Sequence, residues 1–387
     1  MISKHFQVKK YLGGGCLTDV FEVASTSGRD RGVTYALKRF QLENSCVVKR
    51  ALREHRILKR ITLEASRRIF LSTLYYSSFH NSSPVLLISK GSGVDLSKIR
   101  QYFNNLCLYS AKFYCTEIIC GLSQLHKLGI AHLDIKPGNI LLSDSGHVII
   151  TDFDCAFDLL HNPGSPTADD FNGTPSYMAP EIANRSMITL KADIWSLGAT
   201  MAVLMSGSIR PHEKGLMEEV RGGDWRIKGF KKFPKELQSF FNACLAFQPE
   251  DRPDIEEIKY HQLFADVKWN VVASLGQSPP YLPAKINVQF PTSSTFSMSR
   301  NNAIFSSDDL CITIQESEAT EYKQANLREK LLMKGLQADD LEKLIFTYSF
   351  VNEIGISRDD VDTNWPFIRS LHTDSRKSFF CFIVKVL

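Results

Sequence analysis

Between residues 132 and 154 the chain reads HLDIKPGNILLSDSGHVIITDFD, which packs four acids, a lysine and an asparagine around two short apolar runs. Two short apolar runs, NILL from Asn139 and HVIIT from His147, flank the turn Asp144-Ser145-Gly146. Apolar runs of this length around turn-forming residues predict a tight hairpin. A hairpin brings its ends together, so Asn139 before it and Asp152 after it are expected to face one site. Their amide and carboxylate oxygens suit Mg²⁺, a hard cation that takes few protein ligands and completes its shell with phosphate and water. Asp134 lies five residues before Asn139, in a loop containing Pro137 and Gly138. It can accept a hydroxyl proton, and Lys136 can neutralise charge developing on a moving phosphoryl group. Asp144, at the hairpin tip, is turn chemistry alone.

The rest of the chain sets bounds on that idea. Its 387 residues suffice for two or three packed lobes. Hydrophobic residues at 43% and charged ones at 23% give the balance of a soluble globular protein. A net charge of +4 is too mild to argue for nucleic acid or a membrane surface, and neither partner is expected. Nine cysteines without CxxC pairs read as small apolar residues in a reduced protein. The opening MISKHFQVKKYLGGG has no apolar signal core, and no run approaches membrane-span length. A cytoplasmic or nuclear protein is expected.

Periodicity divides the chain in three. Strands are expected at 6–12, 19–24, 33–40, 71–79 and 84–89. Within VVKRALREHRILKRI, Val48, Leu52, Ile57, Leu58 and Ile61 supply the buried stripe of a helix. From residue 107 the character is helical: Tyr114, Ile118, Leu122 and Leu125 share a face, and Gly129 is a stop. Further helices are expected at 191–206, 235–247 and 254–264. Beyond 268 regularity fades through a Ser-rich segment punctuated by Pro279, Pro280, Pro283 and Pro291. An amphipathic stretch at 326–346 and an aromatic-rich end follow.

The first expected strand turn carries Gly13, Gly14 and Gly15, whose backbone N–H groups can approach an anion closely. An ordinary glycine hairpin has the same composition. Val20 is placed to cover a flat apolar ring, and Lys38 follows in the third strand. Glu54, on the helix after Lys38, can hold that lysine toward nucleotide phosphates, or can belong to a solvated face in REHRILKR.

HLDIKPGN and DFD, with GTPSYMAPE from Gly173 to Glu181, DIWSLG from Asp193 to Gly198 and Arg252 in PEDRP, resemble the eukaryotic protein kinases over about residues 6–264. The resemblance implies a bilobal α+β fold: a β-rich N-lobe at 1–91, a larger helical C-lobe at 92–267 and a partly disordered tail at 268–387. It implies ATP in the cleft, with Leu12, Gly13, Gly14, Gly15, Val20, Ala36, Lys38, Glu54, Ile88, Gly91 and Asp95 around it. Ile88 matches the gatekeeper and Ser89-Lys90-Gly91 the hinge. Asp134 matches the catalytic base, and Asn139 and Asp152 the Mg²⁺ ligands. Glu181 and Arg252 match a structural ion pair, and Asp193 the anchor of the catalytic-loop backbone. Lys136 with Thr174 resembles the serine/threonine class, and the GTPSYMAPE segment favours protein substrates.

Within that family, HQLFADVKW, PPYLP, FNGTPSY and the tail segment IFTYSF from Ile345 to Phe350 resemble the AGC group. In that group the tail wraps the small lobe and inserts aromatics beside the Lys–Glu helix. Ser349 is then the expected regulatory phosphosite, for an upstream kinase. A plain amphipathic helix ending in FTYSF fits the same residues.

Several positions depart from the pattern. Thr18 stands at the third glycine of the phosphate loop, and its β-branch is expected to stiffen the backbone there. Leu133 replaces the arginine that grips an activation-segment phosphate, and Asp170 stands where the acceptor would be. Losing both together suggests a segment set by packing rather than by an activating kinase. Asp154 replaces the glycine of DFG, and aspartate tolerates positive φ better than most residues. Gly138 replaces a glutamate of the peptide groove, so selection for arginine should weaken, although Asp95 matches another groove carboxylate. The expectation is an ATP- and Mg²⁺-dependent protein serine/threonine kinase. A catalytically weak pseudokinase acting as an ATP-binding scaffold is the alternative.

Overall fold

The computed structural model describes residues 3–15, 17–42, 45–65, 68–80, 83–162, 164–209, 215–285, 311–315, 348 and 350–351. Five antiparallel strands begin it: β1 (Ser3–Gly14), β2 (Thr18–Ser25), β3 (Thr34–Phe40), β4 (Leu74–His80) and β5 (Ser83–Ile88). Side-chain alternation places β3 between two cores. Tyr35 and Leu37 join Phe6, Phe21 and Tyr76 on one face, while Ala36 and Phe40 join the larger core on the other. Helix α1 (Ser45–Glu64) runs between β3 and β4, burying Val48, Ile57, Leu58 and Ile61 as the stripe predicts, while Leu52 is only partly buried. On that buried side it also carries Glu54 and His55. Residues 71–73, expected to be strand, instead bridge the lobes: Leu71 pairs with Ile150, and the Ser72 amide donates to the Ile150 carbonyl at 2.9 Å.

The second lobe is helical. Helix α2 (Leu96–Phe103) was not foreseen. It is short and begins where the Asp95 side chain accepts from the Ser97 and Lys98 amides. Helix α3 (Leu108–Lys127) buries Tyr114, Ile118, Leu122 and Leu125 together, and Gly129 follows it at φ 67°. Strands β6 (Ile130–Ala131), β7 (Ile140–Leu142), β8 (Val148–Ile150) and β9 (Phe157–Asp158) follow, β6 pairing with β9. β7 and β8 form the expected hairpin. Then come α4 (Pro180–Ala183), α5 (Lys191–Ser206), α6 (Leu216–Gly222), α7 (Lys235–Cys244), α8 (Ile255–Ile258) and α9 (Trp269–Ala273). The single helix expected at 254–264 is therefore broken. Asp254 and Glu257 close a capping box at its start, and the chain then tightens into a separate turn at Gln262–Phe264. Among the described residues no helix is long and apolar enough to cross a membrane, and Cys115, Cys120, Cys155 and Cys244 are buried and free.

The tail returns to both lobes. Tyr281 stacks on Phe103 with ring centroids 4.2 Å apart, and its hydroxyl accepts from Ser110 at 3.0 Å. Strand β10 (Cys311–Gln315) pairs with β1, and β11 (Phe350–Val351) pairs with β4. The N-lobe sheet thus has the order β10-β1-β2-β3-β5-β4-β11. Tyr348 is fully buried between α1 and β4: it stacks on His55 at 4.6 Å, and its carbonyl accepts from Ser77 Oγ at 2.6 Å. The amphipathic stretch 326–346 and Ser349 lie outside the described residues.

Burial, then Lys59, pushes His55 from 6.5 down to about 3, so the ring beneath Tyr348 is neutral in the folded protein. The unfolded chain takes up a proton below pH 6.5 that the folded one refuses until about pH 3, so the contribution of this group to stability falls as pH drops through that window. Between pH 7 and 5 this one group should remove about 2 kcal/mol. Denaturant unfolding should show the stability difference between His55→Phe and wild type changing by about 2 kcal/mol over that range, and a difference independent of pH would contradict the assignment.

Candidate active site

Three strands and a helix bring the first group together. Across the sheet Val20 is in register with both Gly13 and Lys38, so the glycine turn, the apolar cover and the lysine lie in one line. Gly14 must be glycine, because a Cβ there would sit 2.5 Å from the Thr18 carbonyl oxygen. Gly13 and Gly15 face open space. Thr18 sits in extended strand, paired with Phe40, where a β-branched residue is at ease. Ala36 and Ile88 are register partners on β3 and β5, both buried, while Leu12 and Val20 are partly buried against the same core. Gly91 packs under β7, with a would-be Cβ 3.1 Å from the Leu141 side chain.

Lys38 Nζ donates to Glu54 Oε2 and to Asp152 Oδ1, each at 2.6 Å. Burial lowers the lysine's pKa, and the two carboxylates more than reverse that, so the ammonium stays charged. Burial raises Asp152, but Lys38 outweighs it and holds this carboxyl below its usual range. Glu54 is pushed up to about 7 by burial, with Lys38 only partly opposing it. Asp152 is therefore the firmer counter-ion of the pair. It is also the more open one, its side chain 35% exposed against none for Glu54.

The second group is the loop before β7. Asp134 Oδ1 accepts from the Thr174 amide at 2.8 Å, and Oδ2 accepts from Lys136 Nζ at 2.7 Å and Asn139 Nδ2 at 2.9 Å. Lys136 also donates to Thr174 Oγ1 at 2.7 Å. The loop backbone is strained at Leu133, φ 64°, and the segment after β8 has a second such residue in Asp152, φ 68°. Buried Asp193 holds it by accepting from the His132 and Leu133 amides, both at 2.8 Å, and from His126 Nε2 at 2.9 Å. Gly173 closes against this loop, since a Cβ there would lie 2.5 Å from the Leu133 carbonyl oxygen.

The sequence expectation at Asp154 needs correction. The positive φ belongs to Asp152, and Asp154 is not among the positive-φ residues, so no glycine is required there. Its carboxylate instead accepts from Arg50 on α1 at 3.0 Å. Asp170 lies in a turn, Ala168–Asp170, and pairs with Arg53 of the same helix. Neither arginine was singled out from the sequence. The available signal was Arg50, Arg53, Arg56 and Arg60 recurring at helical spacing, which a solvated face also explains. Asp95 is largely occupied: Oδ1 caps α2, and Oδ2 lies 3.4 Å from Lys98.

Whether Mg²⁺ fits can be judged from the donors. Asn139 spends its amide N–H on Asp134, and Asp152 spends Oδ1 on Lys38, which leaves each with an oxygen of the type this cation prefers. Among the described residues no three His, Cys, Asp or Glu side chains gather as a metal cluster. A cation here would rely on these two residues and on substrate phosphates, which suits Mg²⁺.

Residues 6–264 match the protein kinase domain family, and the chain belongs to it. It is 32% identical over 286 residues to ribosomal protein S6 kinase alpha-2 of Homo sapiens, an overlap covering 72% of this chain and 38% of the relative. Identity, length and coverage are the same for ribosomal protein S6 kinase alpha-1 of Rattus norvegicus. Ribosomal protein S6 kinase beta of Caenorhabditis elegans is 31% identical over 287 residues, 72% of this chain and 51% of that one. The chain thus spans 38% of the first two relatives and 51% of the third. The similarity is to serine/threonine kinases of the AGC group, as the motifs suggested, without a subgroup.

Glu181 and Arg252 meet in a buried two-point fork at 2.7 and 2.8 Å. The remaining guanidinium N–H groups reach the Ala246, Lys191 and Phe247 carbonyls, and the ring of Trp195 lies 5.1 Å away. Glu181→Ala strands a buried cation and should destabilise the protein by about 3–5 kcal/mol. For a domain of this size the melting temperature should fall by on the order of 10 °C. A fall of under about 2 °C would contradict the structural role.

Proposed function

We propose that this chain transfers the γ-phosphate of ATP to serine or threonine hydroxyls of protein substrates. The observation carrying this is the Asp134 carboxylate, held by the Thr174 amide, Lys136 and Asn139 while Lys38 is held by Glu54 and Asp152. Fixing a base and a cation from separate segments is the positioning on which phosphoryl transfer depends. Leu12, Val20, Ala36 and Ile88 would cover the adenine, and the glycine turn and Lys38 would meet the phosphates. Asp134 would orient the acceptor hydroxyl and take its proton, and Lys136 would face the charge that develops. Asn139 and Asp152 would hold Mg²⁺, which supplies neutralisation of the phosphate oxygens when bound.

Leu133 and Asp154 are the departures that lean toward a scaffold; Leu133 is buried in the core and Asp154 occupies ordinary backbone. Thr18 lies in strand, and Asp170 has an arginine from α1. The same reading includes an upstream kinase acting on Ser349, next to the buried Tyr348.

Radiolabel transfer from ATP to a generic basic protein tests the proposal. Asp134→Asn should lower it roughly 10²–10⁴-fold. Equal counts from variant and wild type would instead support a binding scaffold. Gly138 adds no carboxylate to the groove and faces open space, so a peptide array should show weak arginine selection upstream of the acceptor. Strong selection for arginine both two and three residues upstream would contradict that.

A further inference from the structure

We propose that Arg50 and Arg53 are positioning residues for phosphoryl transfer: paired with Asp154 and Asp170, they hold α1 and Glu54 against the activation segment without a phosphate on it. The proposal rests on the kinase reading above and concerns how that site is kept assembled.

One face of α1 carries the cations. Arg50 Nη1 donates to Asp154 Oδ2 at 3.0 Å and Nη2 to Asn172 Oδ1 at 3.5 Å. Arg53 donates to the Asp154 carbonyl at 3.2 Å and to Asp170 Oδ1. Further along, Arg60 pairs with Asp158 at 2.6 Å. Exposure ranks these contacts. The Arg53 and Asp170 side chains are 10% and 12% exposed, so solvent screens them little, whereas Lys49 and Asp169 at 46% and 54% form an ordinary surface pair.

Asp170 uses both oxygens. While Oδ1 meets Arg53, Oδ2 accepts from Thr167 N and Oγ1 at 2.7 and 2.8 Å, so one carboxylate joins its own turn to α1. Two residues on, Asn172 meets Arg50, and two further on the Thr174 amide binds Asp134. The loop before β7 offers no cation at position 133, since Leu133 is buried in the core. The positive charge comes from the helix that carries Glu54, so seating the activation segment and seating Glu54 are one event.

The test uses the full chain treated with phosphatase, assayed for kcat and KM with ATP and a serine peptide, with hydrogen exchange followed over residues 45–64. Phosphatase-treated wild type should keep its activity within about twofold. Arg53→Ala and Asp170→Asn should each lower kcat about 10–100-fold and speed exchange in α1, because small displacements at a reacting site have effects of that size. Arg53→Lys, which keeps the charge but not both guanidinium contacts, should recover part of the loss and guards against simple misfolding of the alanine variant. Activity lost on phosphatase treatment, with the responsible site between 160 and 176, overturns the proposal. So do Arg53→Ala and Asp170→Asn proteins with wild-type kcat and unchanged exchange. A wild type that transfers no phosphate at all overturns the kinase reading instead, and the exchange rates then decide the clamp alone.

Discussion

One ammonium group ties this molecule together. Lys38 comes from a strand, Glu54 from the helix that follows it, and Asp152 from beyond a hairpin in the other lobe. Three segments that are remote in sequence are fixed by two contacts of 2.6 Å to a lysine that is itself buried. A buried cation is tolerated only beside its counter-ions, so each partner constrains the other two. Burial of Glu54 and His55 side by side extends that constraint to the tail, because the Tyr348 ring lies on His55. Lobe, helix and tail are thereby coupled through one turn of α1.

The second anchor is backbone chemistry. Asp193 and Gly173 hold a loop containing a non-glycine residue at positive φ, and the loop in turn presents Asp134. Strain of this kind persists only where surrounding bonds over-determine it. Asp193 supplies those bonds from the first turn of α5, an element whose own residues are almost entirely buried. The Asp134 carboxylate is firmly placed because the support of its loop belongs to the core.

Much of this is legible in the sequence. The hairpin after Asn139, the helix at 191–206 and the strand carrying Lys38 follow from turn residues and apolar periodicity, which act over a few neighbours. Less was legible where distant contacts compete with local preference. Residues 71–73 look like strand but bridge to β8, and 254–264 has helical composition but tightens into separate turns. Asp95 was read toward ligand and substrate, while its carboxylate chiefly caps a helix too short to announce itself.

The sequence by itself determined the chemical inventory: which residues can carry charge, accept a proton or ligate a hard cation, and on what kind of element each sits. Only the tertiary structure decided which charges face each other. Arg50 and Arg53 look like any solvated helix face, and Asp154 and Asp170 look like substitutions in a familiar pattern, until the lobes close and the four meet. The physical reason is range. Periodicity and turn propensity are local and can be read along the chain, whereas ion pairing between residues 104 and 117 positions apart exists only once packing has brought them within a few ångströms.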